Sequence, residues 1–232
     1  MTTIFLFFLA CRPETDPVDT ADTDVTEGPT TSAMTATVLD LGSGERLGAT
    51  VRYGDIVGDT TGDGTVTMDV PSNSQGWVTV EAEGYLPLQG YWVQETRPQL
   101  MEWYMVTNFA ASGLFRSFGV TFERTDALVN VVAVTPSADF TSMVPLAGVG
   151  FDLAEDYDLA LLPDLAGAYV EGNTTLDAGV AVFANLAPGP INLTVTAPEG
   201  MECVNWISME GRQQMTTFDV IGGVNVLVWY CE

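Results

Sequence analysis

The side chains of this 232-residue chain that could carry out chemistry are nearly all carboxylates. The sequence has 31 Asp and Glu residues against 7 Arg, with no His and no Lys, which gives a formal net charge of −24. Without His, Ser–His and Cys–His nucleophilic pairs and His-ligated zinc sites are excluded. Without Lys, Schiff-base and phosphate-loop lysines are excluded as well. The reaction that this composition leaves open is glycoside hydrolysis by paired carboxylates.

Two acidic clusters have the oxygen ligands that calcium prefers. Asp55, Asp59 and Asp63 recur every four residues, which is wider than the alternate-residue spacing of an EF-hand loop, and we interpret them as solvated turn residues. The second cluster predicts a ligand or calcium loop, and its aromatic side chains are suited to stacking on sugars or peptides: Asp152, Glu155, Asp156, Tyr157, Asp158 and Tyr169. We assign no metal site and no cofactor, with calcium at the second cluster kept as an alternative.

The three cysteines divide into one near the start of the sequence and two near its end. Cys11 directly follows the apolar run 4–10, which is far shorter than the about 20 residues of a membrane-spanning helix and is typical of the end of a secretory signal. In an exported chain the remaining pair, Cys203 and Cys231, predicts a disulfide. The alternatives, a redox pair or a thiolate metal site, would need close spacing or His partners.

Short strands are the elements that must position these residues. Val66, Met68 and Val70 alternate with polar residues, and the run 78–82 does the same. Gly and Asn residues between the runs favour tight turns. A sheet with one apolar face needs a second sheet to cover it, so the stretch 45–87 predicts a β-sandwich.

The segments GERLGATV, TGDGTVTMDV and VTVEAEGYLP, preceded by a strand from Met34 to Val38, resemble a carboxypeptidase regulatory-like domain. This family is a small transthyretin-like β-sandwich found in many bacterial surface proteins. The resemblance covers about residues 33–95 and implies the fold rather than a function, because the matching residues form turns and core. The zinc carboxypeptidases that gave the family its name carry their metal ligands in a separate domain.

Phe8-Leu9-Ala10-Cys11 resembles a bacterial lipobox, in which the Cys is lipidated and becomes N-terminal after cleavage. Residues 12–32 are rich in Pro, Thr, Asp and Glu, a composition that predicts a disordered tether. The resemblance implies a lipoprotein, held stably because it carries more than one acyl chain. Arg12 follows the Cys where Asp would signal inner-membrane retention, so we expect the outer membrane. The alternative is a cleaved signal with an incidental Cys.

A diverged repeat of the sandwich is predicted in the second half of the chain. The segment 145–151 matches the segment 47–51, and Gly179 precedes a strand as Gly64 does. The spacing differs: Leu146 and Gly179 are 33 residues apart, whereas Leu47 and Gly64 are 17 apart, an excess of 16. The additional residues fall within 152–173, where we expect a long loop or an extra hairpin.

A short helix is predicted between the two modules, capped by Asn108 and ended by Gly119. Its large apolar side chains would share one side of the helix: Phe109, Leu114, Phe115 and Phe118. We interpret the helix as a packed connector. An aromatic patch that binds a partner is the alternative.

These observations predict an all-β protein of two Ig-like or transthyretin-like sandwiches in tandem. The expected segments are a signal peptide (1–10), a lipidated Cys with its tether (11–32), the first sandwich (33–104), the connector (105–124) and the second sandwich (125–232). The expected role is non-catalytic: display, adhesion or recognition of protein or glycan at the cell envelope, with the membrane as a further partner. A spacer lipoprotein and a carboxylate-based glycan hydrolase are the alternatives. Too few bases are present to support nucleic-acid binding.

Overall fold

The computed structural model describes residues 30–137, 143–205 and 215–232. Cys11 and nearly all of the predicted tether lie outside these ranges. One helix, α1 (Asn108–Ser117), is described. The strands before it are β1 (Thr31–Asp40), β2 (Thr50–Tyr53), β3 (Ile56–Asp59), β4 (Thr65–Pro71), β5 (Ser74–Glu81), β6 (Leu88–Gln94) and β7 (Gln99–Met105). The strands after it are β8 (Ala127–Pro136), β9 (Met143–Pro145), β10 (Gly150–Leu153), β11 (Leu159–Pro163), β12 (Tyr169–Glu171), β13 (Val180–Leu186), β14 (Gly189–Thr196), β15 (Cys203–Asn205), β16 (Thr217–Val220) and β17 (Gly223–Cys231). Over the described ranges, no helix combines the length and apolar character needed to cross a bilayer.

The strands form two copies of one arrangement, which we call repeat 1 (β1–β7) and repeat 2 (β8–β17). In repeat 1, β1 pairs antiparallel with β4 and parallel with β7; in repeat 2, β8 pairs in the same way with β13 and β17. The facing sheet holds β2, β5 and β6 in repeat 1 and β10, β14 and β16 in repeat 2, all antiparallel. The predicted all-β fold with tandem sandwiches is therefore confirmed.

One hydrogen-bonded threonine marks the equivalent loop in each repeat. The hydroxyl of Thr60 accepts from the Ala49 amide and donates to the Leu47 carbonyl, at 2.8 and 2.9 Å. Thr175 makes the same two bonds, to the Val149 amide and the Leu146 carbonyl, at 3.0 and 2.8 Å. Shared side chain–backbone bonds at matched positions show that the sequence repeat is also a structural repeat.

The two sandwiches are joined edge to edge through their sheets. The last strand, β17, lies between β8 on one side and β6 on the other, and it is parallel to both. Its pairing with β6 runs from Val224 opposite Leu88 to Val226 opposite Gly90. The facing sheet of repeat 1 and the first sheet of repeat 2 thus merge into one 11-stranded central sheet over the described ranges.

Burial on both faces of the central sheet explains the nearly unbroken apolar sequence of β8. Leu128 and Val132 join a first core that repeat 1 also lines, whereas Val129 and Val131 join a second core within repeat 2. Successive side chains of a strand point to opposite faces, so a strand covered on both sides is apolar throughout. The first core therefore belongs to both repeats.

The extra residues of repeat 2 replace the tip of a tight hairpin. In repeat 1, β2 turns directly into β3, with Thr50 opposite Asp59. In repeat 2 the equivalent bridge joins Gly150 and Thr174, and the chain between them leaves to form the β11–β12 hairpin. Strand β11 then pairs with β13 and is buried along its length. The extra hairpin predicted within 152–173 is confirmed, and its first strand, β11, is a buried part of the central sheet.

The connector helix differs from its prediction at the start and matches it at the end. Its N-cap is Thr107, whose hydroxyl accepts from the Ala110 amide at 3.1 Å, so the prediction of Asn108 is wrong by one residue. Gly119 ends the helix in a left-handed conformation, as predicted. Phe115 is buried and stacks on Phe122, whereas Phe109 is 88% exposed and does not share that packed side.

The predicted disulfide between Cys203 and Cys231 is confirmed, with the two Cα atoms 4.1 Å apart. The disulfide does not hold β17 to β14, the preceding strand in the chain, because Cys203 starts the separate short strand β15. That strand pairs antiparallel with the end of β17, beyond the point where β6 stops pairing with it. The crosslink therefore closes the side of β17 that β6 leaves open.

Candidate functional site

The strand directions define two ends of the molecule. Strand β1 starts at Thr31 opposite Pro71, the last residue of β4, and the β4–β5 turn leads to Ser74 opposite Gln94. Strand β6 therefore runs towards the end where Thr31 lies, and β17, parallel to β6, runs the same way to Cys231. We call this the near end, and we call the opposite end, where β8 and β17 start, the far end.

The loop 154–158, which contains most of the predicted site, lies at the far end. It leads into β11, whose first residue, Leu159, is paired with Ala184 of β13. Strand β13 ends beside Ala127, where β8 starts. The connector helix and the segment after it also lie at this end, since they join the end of β7 to the start of β8. The far end therefore gathers connections from both repeats.

Asn185 ties the predicted loop to the connector. Its side-chain amide donates to the Asp158 carboxylate at 2.8 Å and to the Thr121 carbonyl at 2.7 Å, and its Oδ1 accepts from the Glu123 amide at 3.0 Å. Its backbone has a φ of 58°, a conformation that Asn tolerates better than most residues. Asp158 is thus held by an amide donor while it stays exposed to solvent.

Asp152 and Glu155 are held by amide groups around the outer face of the β10–β14–β16 sheet. Glu155 accepts from the backbone amide of Asn192 at 2.8 Å and from its side-chain amide at 2.9 Å. Asp152 accepts from the side-chain amide of Asn173 at 2.7 Å. Charge-assisted bonds of this kind fix the orientation of a carboxylate. Two of the predicted carboxylates are therefore preorganised acceptors.

The two aromatic residues of the predicted site are separated. Tyr157 is 37% exposed at the far end, where its ring meets Phe183 edge to face with centroids 5.1 Å apart. Tyr169 lies on β12 and packs against the first core, and this burial raises the pKa of its hydroxyl. Asp156 is exposed in the loop beside Tyr157. The structure therefore brings Asp156, Tyr157 and Asp158 together and leaves Tyr169 apart.

Three of the predicted carboxylates are held by Asn side chains. In the parts of the chain that the structure describes, no group of three or more Asp, Glu, Cys or His side chains is placed to hold a metal ion. Asp152, Glu155 and Asp158 each accept from an Asn side chain instead. Calcium binding at this loop stays a prediction.

The sequence pattern did not identify Asn185 and Asn192, the two residues whose amides organise the far end and the adjoining sheet face. Asn185 lies next to the Leu-Ala-Pro-Gly turn between β13 and β14, and an Asn at such a turn is a signal for a left-handed residue. The bonding partners of Asn185 lie 27 to 64 residues away in the chain. No local pattern specifies such distant pairs.

No protein-family model matches this sequence, and no curated protein matches it. Among solved structures, the minor pilin GBS52 of Streptococcus agalactiae aligns with 86% of this chain and 95% of its own, at 11% identity and a TM-score of 0.29. The major pilin T-13 of Streptococcus pyogenes aligns with 88% and 97%, at 9% identity and a TM-score of 0.31. The shaft pilin SpaA of Lactobacillus rhamnosus GG aligns with 88% and 98%, at 13% identity and a TM-score of 0.26. At TM-scores this low, the alignments do not assign a role to this chain.

Proposed function

We propose that this protein is a non-catalytic cell-envelope lipoprotein that displays its far end for adhesion or recognition of a surface protein or glycan. The observation that carries the proposal is the separation of the two ends. The chain reaches the fold at Thr31 on the near end, and the loop 154–158 lies on the far end. A tether on one end therefore leaves the other free to meet a partner.

The anchor in this proposal is acyl chains on Cys11, and the outer membrane is its location. A flexible coil of about 21 residues reaches roughly 25 Å by square-root scaling, enough to hold the fold clear of lipid headgroups. The formal charge of −24 favours a solvated protein that stays apart from anionic surfaces. Both features suit display in front of a membrane.

The non-catalytic role rests on residue chemistry. His and Lys are absent from the sequence, and the preorganised carboxylates accept from Asn side chains. A glycan hydrolase would need one carboxyl group to act as an acid and a second about 5–10 Å away across a bound sugar. The spacer alternative has a specific observation in its favour, because part of the stretch inserted in repeat 2 forms the buried strand β11 instead of an exposed loop.

Metabolic labelling with a palmitate analogue tests the anchor. Wild-type protein expressed in its native bacterial cells should take up the label and partition with membranes. The Cys11→Ser variant should do neither. The double variant Cys203→Ser/Cys231→Ser serves as the control, because it removes both disulfide cysteines, keeps Cys11 and should therefore keep the label. Label retained in Cys11→Ser, or absent from both forms, would remove the lipoprotein proposal.

Binding assays with matched variants test recognition at the far end. The double variant Asp156→Ala/Tyr157→Leu changes exposed far-end side chains, and Glu199→Ala changes an exposed side chain at the near end. Envelope glycans and proteins are immobilised as an array and probed with each form. We expect the far-end variant to lose binding and the near-end variant to keep it. Binding by none of the forms favours the spacer alternative.

A further inference from the structure

The start of β1 is fastened to both sheets of repeat 1. The Thr30 carbonyl accepts from the Ser72 amide at 3.2 Å, and the Ser32 hydroxyl donates to the Glu95 carbonyl at 2.8 Å. The fully buried amide of Gln94, at the end of β6, donates to the Ser32 hydroxyl at 2.6 Å. This point is where the chain from the predicted tether enters the fold.

Gln94 has further bonds that secure this attachment. Its side-chain nitrogen also donates to the Arg97 carbonyl at 3.1 Å, and its Oε1 accepts from the indole of Trp92 at 3.2 Å. A buried amide with several partners is costly to break, because each group left unpaired loses both protein and water contacts. Substitution of the residues that fasten β1 is therefore expected to be costly.

Strand β1 is also the middle strand of its sheet. Its pairing with β4 runs from Thr31 opposite Pro71 to Thr37 opposite Thr65, and its pairing with β7 from Met34 opposite Gln99 to Asp40 opposite Met105. Hydrogen bonds between strands lie across the strand axis. Tension along β1 from its first residue would therefore shear the bonds to both neighbours together, rather than open them one by one.

We propose that the fold is a load-bearing link, in which β1 carries tension between the tether and a partner held at the far end. This inference rests on the proposed display function. Tension in that arrangement acts along the strands, since the tether enters at the near end. Tension between the start of β1 and the end of β17 would act across the strands instead, because both lie at the near end.

Single-molecule pulling in two directions tests this proposal. The full chain, with Cys11→Ser and a handle at its N-terminus, receives a second handle through Glu83→Cys or through Glu232→Cys. Both glutamates are exposed; Glu83 lies in the far-end connection between β5 and β6, and Glu232 follows β17 at the near end. We expect the rupture force through position 83 to be at least about twice that through position 232, because forced unfolding depends on the barrier along the pulled direction.

Equal forces in the two directions, or a lower force through position 83, would overturn the proposal. The Gln94→Met variant, of similar volume, adds a second readout: it should lower the rupture force through position 83, because Gln94 fastens the start of β1. An unchanged force through position 83 in this variant counts against the proposal. Palmitate labelling does not depend on these forces, so failure of the link and failure of the anchor can be distinguished.

Discussion

The strands β7 and β17 hold the same place in their repeats and have opposite surroundings. Trp103 of β7 lies opposite Val38, and Trp229 of β17 lies opposite Ala133; each is followed by a Tyr. In β7, Leu100 and Glu102 point outwards and are exposed. In β17 the residues from Gly223 to Leu227 are all buried, because the strand is paired on both sides and covered on both faces.

The difference between these strands indicates why the described parts of the two repeats are joined at β17 and not also at β7. Val224 of β17 donates its backbone amide to the Pro87 carbonyl at 2.7 Å, just ahead of β6. The residue of repeat 1 equivalent to Val224 is Pro98, which directly precedes β7. Pro has no amide hydrogen to donate, so at the start of a strand it hinders the addition of a further strand. Repeat 2 therefore supplies the joining strand, and repeat 1 ends in a protected edge.

Removing the disulfide should have the largest effect, since it is the covalent feature that repeat 1 lacks; Met105 occupies the position of Cys231. The double variant Cys203→Ser/Cys231→Ser should lose roughly 3–4 kcal/mol of unfolding free energy, by the chain-entropy estimate for a loop of this length. Denaturant titration measures the loss. Because the first core is shared, the variant should still unfold in one transition; a separate early transition of repeat 2 would contradict a shared core.

Equivalent glycines allow a direct comparison of the two repeats. Gly64 and Gly179 have φ values of 71° and 67°, and a Cβ on Gly179 would lie 2.6 Å from the Ala133 carbonyl oxygen and 2.8 Å from the Leu146 amide nitrogen. At Gly64 one atom, the Cβ of Arg46, would lie as close, at 2.6 Å, and the nearest backbone atom, the Leu47 amide nitrogen, would lie 3.1 Å away. With left-handed strain added, we expect Gly179→Ala to cost about 3 kcal/mol and Gly64→Ala about 2 kcal/mol.

Thermal unfolding of the two glycine variants, each with a matched Gly→Asn substitution that tolerates a positive φ, measures this difference. The Asn variants should recover part of the backbone strain and none of the steric cost. A Gly64→Ala loss as large as that of Gly179→Ala would show that the two turns are equally confined, contrary to the contacts above.

The alternating strands and turns of both repeats could be predicted from sequence, because one exposed face leaves a polar residue at every second position. The order of the strands could not. The apolar run of β17 indicates burial on both faces, and nothing in it names β6 as its second neighbour. The far end was only partly predictable, since Asp158 and Tyr157 are in one loop whereas Asn185 and Thr121 come from separate connections.

The two loop threonines should differ according to their burial. Thr175 is 3% exposed, and Thr60 is half-buried with the same two hydrogen bonds. Substitution by Val keeps the shape and leaves a backbone amide and a carbonyl without their partner. We expect a loss of about 2 kcal/mol for Thr175→Val and about 1 kcal/mol for Thr60→Val, where water can replace the hydroxyl. Thr→Ser variants are the controls, and equal losses in the two Val variants would refute the role of burial.

The smallest expected effect concerns the paired tryptophans. The indole of Trp103 donates to the sulfur of Met101, whereas the buried indole nitrogen of Trp229 has no partner and Leu227 stands in the position of that Met. Leu and Met have similar volumes, so Leu227→Met should supply the missing acceptor with little repacking and add about 0.5 kcal/mol. The reverse change, Met101→Leu, should remove about 1 kcal/mol by leaving the Trp103 indole unpaired. Denaturant titration gives both values, and Trp fluorescence should shift in opposite directions. If Leu227→Met and Met101→Leu both lower the unfolding free energy by the same amount, the two Trp sites differ in packing and not in the hydrogen-bond acceptor.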